Sequence, residues 1–157
     1  VRVGFGWDIH RLVKGRKLLL GGVEIDSEKG ALGHSDGDVV LHSLVDAILG
    51  SLSLGDIGDH FKDTDLKWKD AESSIFVKEA LRLLKEKGFS LSNVDITVIL
   101  EKPKLYPYKE KIRKRISDLL NIDMEQVSFK AKTKEGIGET GKGEAIESFS
   151  VVLITRI

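Results

Sequence analysis

The 157-residue sequence predicts an α+β fold, a two-layer sandwich of a mixed β-sheet covered on one face by helices. Three observations predict it. The N-terminus alternates apolar and polar residues with period two, three later stretches carry apolar residues at helical spacing, and strand-length apolar runs are interleaved with them. Parallel crossovers are too few for a doubly wound nucleotide-binding sheet.

From Val1 to His10, the residues Val1, Val3, Phe5, Trp7 and Ile9 fall on one side of a strand and Arg2, Gly4, Gly6, Asp8 and His10 on the other. The apolar side is expected to be the buried one. Lys17 to Leu20 and Val23 to Ile25 flank Gly21-Gly22 as a hairpin, and a loop follows from Asp26 to Gly33. Val40, Leu41, Leu44, Val45, Ile48 and Leu49 recur at helical spacing and predict a helix from about Gly37 to Ser51. Gly55 to Asp65 is a loop dense in glycine and carboxylates. Ser73 to Lys87 is an amphipathic helix with Ile75, Phe76, Val77, Ala80, Leu81, Leu83 and Leu84 inward, stopped by Gly88.

Val94 to Leu100 is nearly all apolar, as expected of a strand buried on both faces. Pro103 and Pro107 precede a helix from about Tyr108 to Leu120, and Val127 to Thr133 is a strand with Val127, Phe129 and Ala131 toward the core. The last strand, Phe149 to Ile157, is expected to turn Phe149, Val151, Leu153 and Ile157 inward. Val152 and Ile154 then lie on the opposite side, and an apolar second face points to an oligomer.

The length fits one domain over residues 1–157. Lys plus Arg, 25, balances Asp plus Glu, 25, so no net field draws the chain to nucleic acid or to an anionic membrane. The basic run Lys109 to Arg115 reads as a solvated helix face with Ile112 and Ile116 as its apolar stripe. Without cysteine there is neither a disulfide framework nor a thiolate site, in keeping with a reducing compartment. No run is long enough to span a membrane, and the N-terminus carries no signal-peptide pattern. A charged fraction of 32% with few Asn, Gln and Met leans toward a thermophilic source.

Asp8 and His10 stand two apart on one strand face, after two glycines that leave bare backbone. Alone, such a pair is more often a solvated edge or a hydrogen-bonded couple. His42 adds a third donor, with Asp38 and Asp46 one turn away on the same helix face. A metal-bound imidazole usually gives its second N–H to a carboxylate, so Asp38 or Asp46 is expected to orient His42. Two histidines and one carboxylate leave the fourth tetrahedral position open, the pattern of a catalytic zinc. A helix with ordinary exposed polar residues is the competing reading.

The blocks Gly4-Phe5-Gly6-Trp7-Asp8-Ile9-His10, Gly33-His34-Ser35-Asp36-Gly37-Asp38 and Gly55-Asp56-Ile57-Gly58 come in an order that is similar to a known family. Phe61-Lys62-Asp63-Thr64-Asp65, Lys130 to Glu135 and Gly138 to Glu144 continue the match over essentially the whole chain. Together they resemble the 2-C-methyl-D-erythritol 2,4-cyclodiphosphate synthase family. The resemblance implies a cytoplasmic bacterial enzyme of non-mevalonate isoprenoid precursor biosynthesis. Its substrate would be 4-diphosphocytidyl-2-C-methyl-D-erythritol 2-phosphate, closed by intramolecular phosphoryl transfer to the cyclic diphosphate with release of CMP.

The resemblance further implies one Zn²⁺ per subunit on Asp8, His10 and His42, and Mg²⁺ or Mn²⁺ with the diphosphate on Glu135. His34 and Thr133 correspond to groups around the transferring phosphates, beside Ser35. Asp56, Ile57, Gly58, Phe61, Asp63 and Asp65 correspond to the methylerythritol pocket. Leu100, Pro103, Lys104, Leu105 and Tyr106, with Ala131, Lys132 and Thr133, correspond to the cytidine site, and Lys134 and Glu135 follow them. The family is a homotrimer joined through its sheets, with each active site between neighbouring subunits.

Three positions depart from the family. Glu139 stands where an aromatic is common, Lys142 where arginine is common and Ala145 where glycine is common. Residues 139 and 142 line an axial cavity that holds an isoprenoid diphosphate in relatives, and an acid with a less bidentate cation argues against that ligand here. His60 matches no family position and reads as surface polar. Two other functions fit the same donors: a zinc phosphodiesterase acting on a nucleoside diphosphate derivative, and a non-catalytic trimeric binding protein braced by a metal with a closed fourth ligand.

Overall fold

Two glycines decide which face of the first strand is covered. The computed structural model describes residues 1–157, and in it the helix α1 (Val39–Ser51) lies directly on the strand β1 (Arg2–Lys14). A Cβ at Gly4 would stand 1.8 Å from the Ala47 carbonyl oxygen. No side chain fits between the two elements there, so the face with Gly4, Gly6, Asp8 and His10 is the inner one. This inverts the expectation for β1: Phe5 is 60% exposed and Trp7 45%, with Val3 and Ile9 beside them.

The remaining elements are β2 (Leu18–Leu20), β3 (Val23–Ile25), β4 (Lys29–Leu32), α2 (Ile57–His60), α3 (Ser74–Glu86), β5 (Phe89–Ile99), α4 (Lys109–Leu120), β6 (Val127–Lys132), α5 (Gly138–Gly141) and β7 (Ala145–Arg156). The main sheet has the order β4-β1-β7-β5-β6, with only β5 and β6 parallel, and β2-β3 forms a separate hairpin. Helices α1, α3 and α4 cover one face, which bears out the mixed sheet with helices on one side. The expected loop from Asp26 to Gly33 contains β4, which pairs with β1 through Arg11 and Leu32. Gly30 has no alternation to announce a strand.

β7 is inverted as well. Val152 and Ile154 are fully buried while Val151 and Leu153 are exposed, so the residues expected outside form the core. The pairing explains it, because Val152 opposes Gly4 and Ile154 opposes Arg2, and opposed residues share a face. β5 alternates rather than being buried on both sides: Val94, Ile96 and Val98 are buried, whereas Asp95, Thr97 and Ile99 are only half-buried. In α3, Phe76, Val77, Ala80 and Leu84 face the core, but Ile75 is exposed. Ile112 and Ile116 of α4 are buried as its stripe required.

The result is one connected apolar core between sheet and helices. It leaves a second sheet face bearing Val3, Phe5, Trp7, Ile9, Val151 and Leu153. No helix is long and apolar enough to cross a membrane.

Candidate metal centre

The start of α1 is fixed by Asp38, whose carboxylate accepts from Leu41 N at 3.1 Å and thereby caps the helix. It also accepts from the Gly21 and Gly22 amides of the hairpin at 3.0 and 2.7 Å. Burial nonetheless pushes its pKa up to about 6. Asp46 accepts from Ile57 N at 2.7 Å, tying α1 to α2, and burial pushes it also to about 6. Neither carboxylate is hydrogen-bonded to His42, which corrects the expectation that one of them orients it.

The partners of His42 are serines. Its Nε2 lies 2.8 Å from Ser73 Oγ and 3.0 Å from Ser35 Oγ, and the Ser73 hydroxyl donates in a short bond to Asp36. Asp36 also accepts from Ser73 N at 2.9 Å. Because Ser73 spends its proton on Asp36, its oxygen is left to accept from Nε2–H. The neutral imidazole thereby carries its proton on Nε2, and only the charged form also donates from Nδ1 to Asp8. The carboxylate expected behind the histidine is present, but it acts through a serine and is Asp36.

Nδ1 of His42 stands 3.2 Å from Asp8 Oδ2, and Nδ1 of His10 stands 3.0 Å from the same oxygen. The three donor groups all lie within 4.8 Å of one another. Burial pushes Asp8 up, but the two imidazoles beside it outweigh this and hold it below the usual carboxylate range. Burial lowers His42, and the Asp8 hydrogen bond and charge more than offset that, so it sits above its ordinary value. His10 Nδ1 is buried and has no hydrogen-bond partner despite its short approach to Asp8. A buried nitrogen without a hydrogen-bond partner, set beside a carboxylate, has the character of a cation ligand. Donors on a tetrahedral zinc with bonds near 2 Å lie about 3.3 Å apart, so this N,N,O set fits.

His10 and His42 of the triad open into a cavity of about 590 Å³ whose lining also includes His34, Ser35, Ile57, Gly58, Phe61 and Asp63. Phe61 packs against Phe76 at 4.5 Å and edge-on to Trp68 at 5.2 Å, forming an apolar wall. His34 Nε2 bonds the Asp65 carbonyl oxygen at 3.0 Å, which ties the helix-start loop to the 61–65 segment. Ser35 is buried against His42 rather than turned outward. Asp56 and Asp65 cap short helical turns through Asp59 N and Lys67 N, and neither lines the cavity. His60 is exposed and bonds the Leu54 carbonyl, a surface residue as expected.

The rest of the predicted site lies elsewhere. Asp8 pairs with Ser148, Ser148 with Val98 and Val98 with Ala131, so Ala131 stands level with Asp8 but three strands away. At the usual strand spacing that is about 14 Å. Ala131 and Lys132 therefore stand at the opposite edge of the sheet from the zinc ligands of the same chain, while the segment after them turns back toward β7, where Lys134 bonds Glu147 at 3.1 Å. Leu100 and Leu105 are buried in the core, leaving their backbone and the exposed Lys104 and Tyr106 to meet a ligand. Pro103 and Lys142 line a second cavity of about 840 Å³ with Lys29 and Glu101, and Glu139 is exposed nearby on α5. Sequence reasoning missed Asp36 and Ser73, 37 residues apart with no shared periodicity to link them.

Residues 1–155 match the model of the YgbB family. A 2-C-methyl-D-erythritol 2,4-cyclodiphosphate synthase from Alkaliphilus metalliredigens is 52% identical over 98% of this chain and 97% of its own length. A structure of a synthase of that name in its CDP-bound form superposes with a TM-score of 0.91 at 38% identity, covering 98% of this chain and 100% of that one. The bifunctional IspDF of Campylobacter jejuni superposes with a TM-score of 0.96 at 41% identity, covering 99% of this chain. This chain spans 42% of that bifunctional protein. With a family model matched from end to end and a half-identical relative of the same length, the chain belongs to the YgbB family.

Proposed function

We propose that the chain is a 2-C-methyl-D-erythritol 2,4-cyclodiphosphate synthase. It converts 4-diphosphocytidyl-2-C-methyl-D-erythritol 2-phosphate into the cyclic diphosphate and CMP. The observation that carries this is the convergence of Asp8, His10 and His42, with His10 Nδ1 unpartnered, where a cavity of small-molecule size opens.

The nucleophile is a phosphate anion of the substrate itself, so the protein needs no general base, only positioning and charge neutralisation. Zinc on Asp8, His10 and His42, with magnesium or manganese on Glu135, would supply Lewis-acid neutralisation of the diphosphate when bound. Phe61, Ile57 and Gly58 enclose the methylerythritol portion, and Asp63 accepts from its hydroxyls. His34, held by Asp65, places a ring at the cavity where phosphate charge develops, and Thr133 does so from the opposite cluster. The backbone of 100–106 reads the cytosine edge.

A homotrimer supplies the proximity that one chain lacks. Ala131 of the cytidine cluster stands about 14 Å from Asp8 within a subunit, and an exposed apolar sheet face is available for packing. One subunit's cytidine cluster would then complete its neighbour's zinc cavity.

Incubation with the cytidylyl substrate, Zn²⁺ and Mg²⁺ followed by mass analysis tests the reading. Stoichiometric CMP and cyclic diphosphate are expected. A linear product carrying solvent oxygen would establish a phosphodiesterase instead, and no turnover with bound zinc would leave a binding protein.

A further inference from the structure

Glu147 is a buried carboxylate on the open, apolar face of the sheet. It opposes Ile9 across β1 and Ile99 across β5, and only 7% of it is exposed. A carboxylate in such a place needs partners. It has three: Thr140 Oγ1 donates to Oε2 at 2.8 Å, Lys134 Nζ to Oε2 at 3.1 Å and Trp7 Nε1 to Oε1 at 3.3 Å. Burial pushes its pKa up, but those donors prevail and hold it below the usual range, so the charge persists.

Two of the donors, Lys134 and Thr140, belong to the segment that carries Thr133 and Glu135, and the third, Trp7, belongs to β1. A second carboxylate grips the same segment by its backbone, since Glu101 Oε1 accepts from Lys134 N at 2.6 Å and Gly136 N at 3.4 Å. Between these anchors Glu135 adopts a left-handed backbone, with φ of 54°. A non-glycine residue stays there only when its surroundings dictate it. The segment also closes on itself, because a Cβ at Gly141 would come within 2.3 Å of the Gly136 backbone. Lys134 is thus occupied by Glu147 rather than free for a phosphate.

We propose that Glu147, acting through Lys134 and Thr140, is a positioning residue that holds the 133–140 segment against the sheet and so presents Glu135 to the second metal. The Trp7 bond joins the same clamp to the apolar sheet face. This rests on the reading of Glu135 as the magnesium carboxylate. Lys134 also neutralises Glu147, so the clamp adds no uncompensated negative charge beside a substrate that is itself polyanionic.

The test is Glu147→Gln, Lys134→Met and the double variant in the zinc-loaded protein, with Mg²⁺ titrated at saturating cytidylyl substrate. For Glu147→Gln the Mg²⁺ concentration giving half the maximal rate is expected to rise about tenfold, with KM and zinc content held. The double variant should be no worse than the poorer single variant, because both cut one link. An unchanged Mg²⁺ dependence, or losses that multiply in the double variant, would overturn the proposal. Hydrogen exchange of amides 134–141 reads the clamp without turnover, with about tenfold faster exchange expected in Glu147→Gln. If the unaltered protein shows no turnover, the functional reading fails and the exchange still decides the clamp; unchanged exchange overturns it. Should Glu147→Gln not fold, Lys134→Met cuts the link from the other side and is held to the same outcomes.

Discussion

The α-carbon of Gly6 lies so near the carbonyl oxygen of Ser43 that a Cβ at residue 6 would stand 1.9 Å from it. Ser43 follows His42 in α1, and Asp8 follows Gly6 by one strand repeat, so this close approach sets the distance between the metal donors. Gly6→Ala is expected to push α1 off the strand, costing about 3 kcal/mol or more, and to reduce bound zinc at the same time. Urea unfolding and metal analysis check both. A variant with normal stability and full zinc would mean that the helix does not need the bare backbone.

The serine behind His42 yields a second expectation. Ser73→Ala removes the 2.8 Å acceptor for Nε2–H, and Asp36→Asn lets Ser73 point its proton elsewhere. Each should weaken zinc binding about 10- to 100-fold, measured by competition with a chromogenic chelator. Ser35 at 3.0 Å remains in Ser73→Ala, so that variant should fall at the milder end. Affinities equal to the unaltered protein would remove the relay from the account.

The open sheet face makes a third. Phe5 is 60% exposed in the single chain, so Phe5→Glu removes little from the core. It should instead leave the chain monomeric in sedimentation experiments and abolish turnover while zinc stays bound. A trimer that survives the charge would show that the subunits meet elsewhere.

Asp38 gives a pH dependence whose sign is opposite to that of a salt-bridged carboxylate. Its folded pKa, about 6, lies above the ordinary carboxylate value of 3.8, so the folded state holds the proton over that interval while the unfolded chain has lost it. Stability from this group is therefore present at low pH and is lost as pH rises toward 6. Between pH 4.5 and 7.5 the change is about 2 kcal/mol. Asn at 38 cannot titrate, so the advantage of the unaltered protein over Asp38→Asn in denaturant should shrink by that amount across the same range. An advantage that grows with pH would refute the assignment.

Much of the site was legible because its chemistry is carried by residue type and local spacing. Asp8 and His10 must share a strand face, and His42 must stand one turn from Asp38 and Asp46, whatever the fold does around them. The orienting carboxylate was not legible in the same way. Asp36 reaches His42 only through Ser73, a side chain from the start of a different helix. Asp38 and Asp46 were plausible by spacing, but the amides of Gly21, Gly22 and Ile57 had already claimed them.

The sequence by itself determined the order of the three long helices and of six of the seven strands, the stop of α3 at Gly88, and the three candidate metal donors. The tertiary structure alone decided which side of β1 and of β7 is inside. Alternation states that two faces differ, and a period of two is the same read from either side. For β1 the choice fell to Gly4 and Gly6, because only a strand without side chains lets α1 approach closely enough for His42 to meet Asp8. That packing turned Phe5 and Trp7 outward, and with them the register turned Val151 and Leu153.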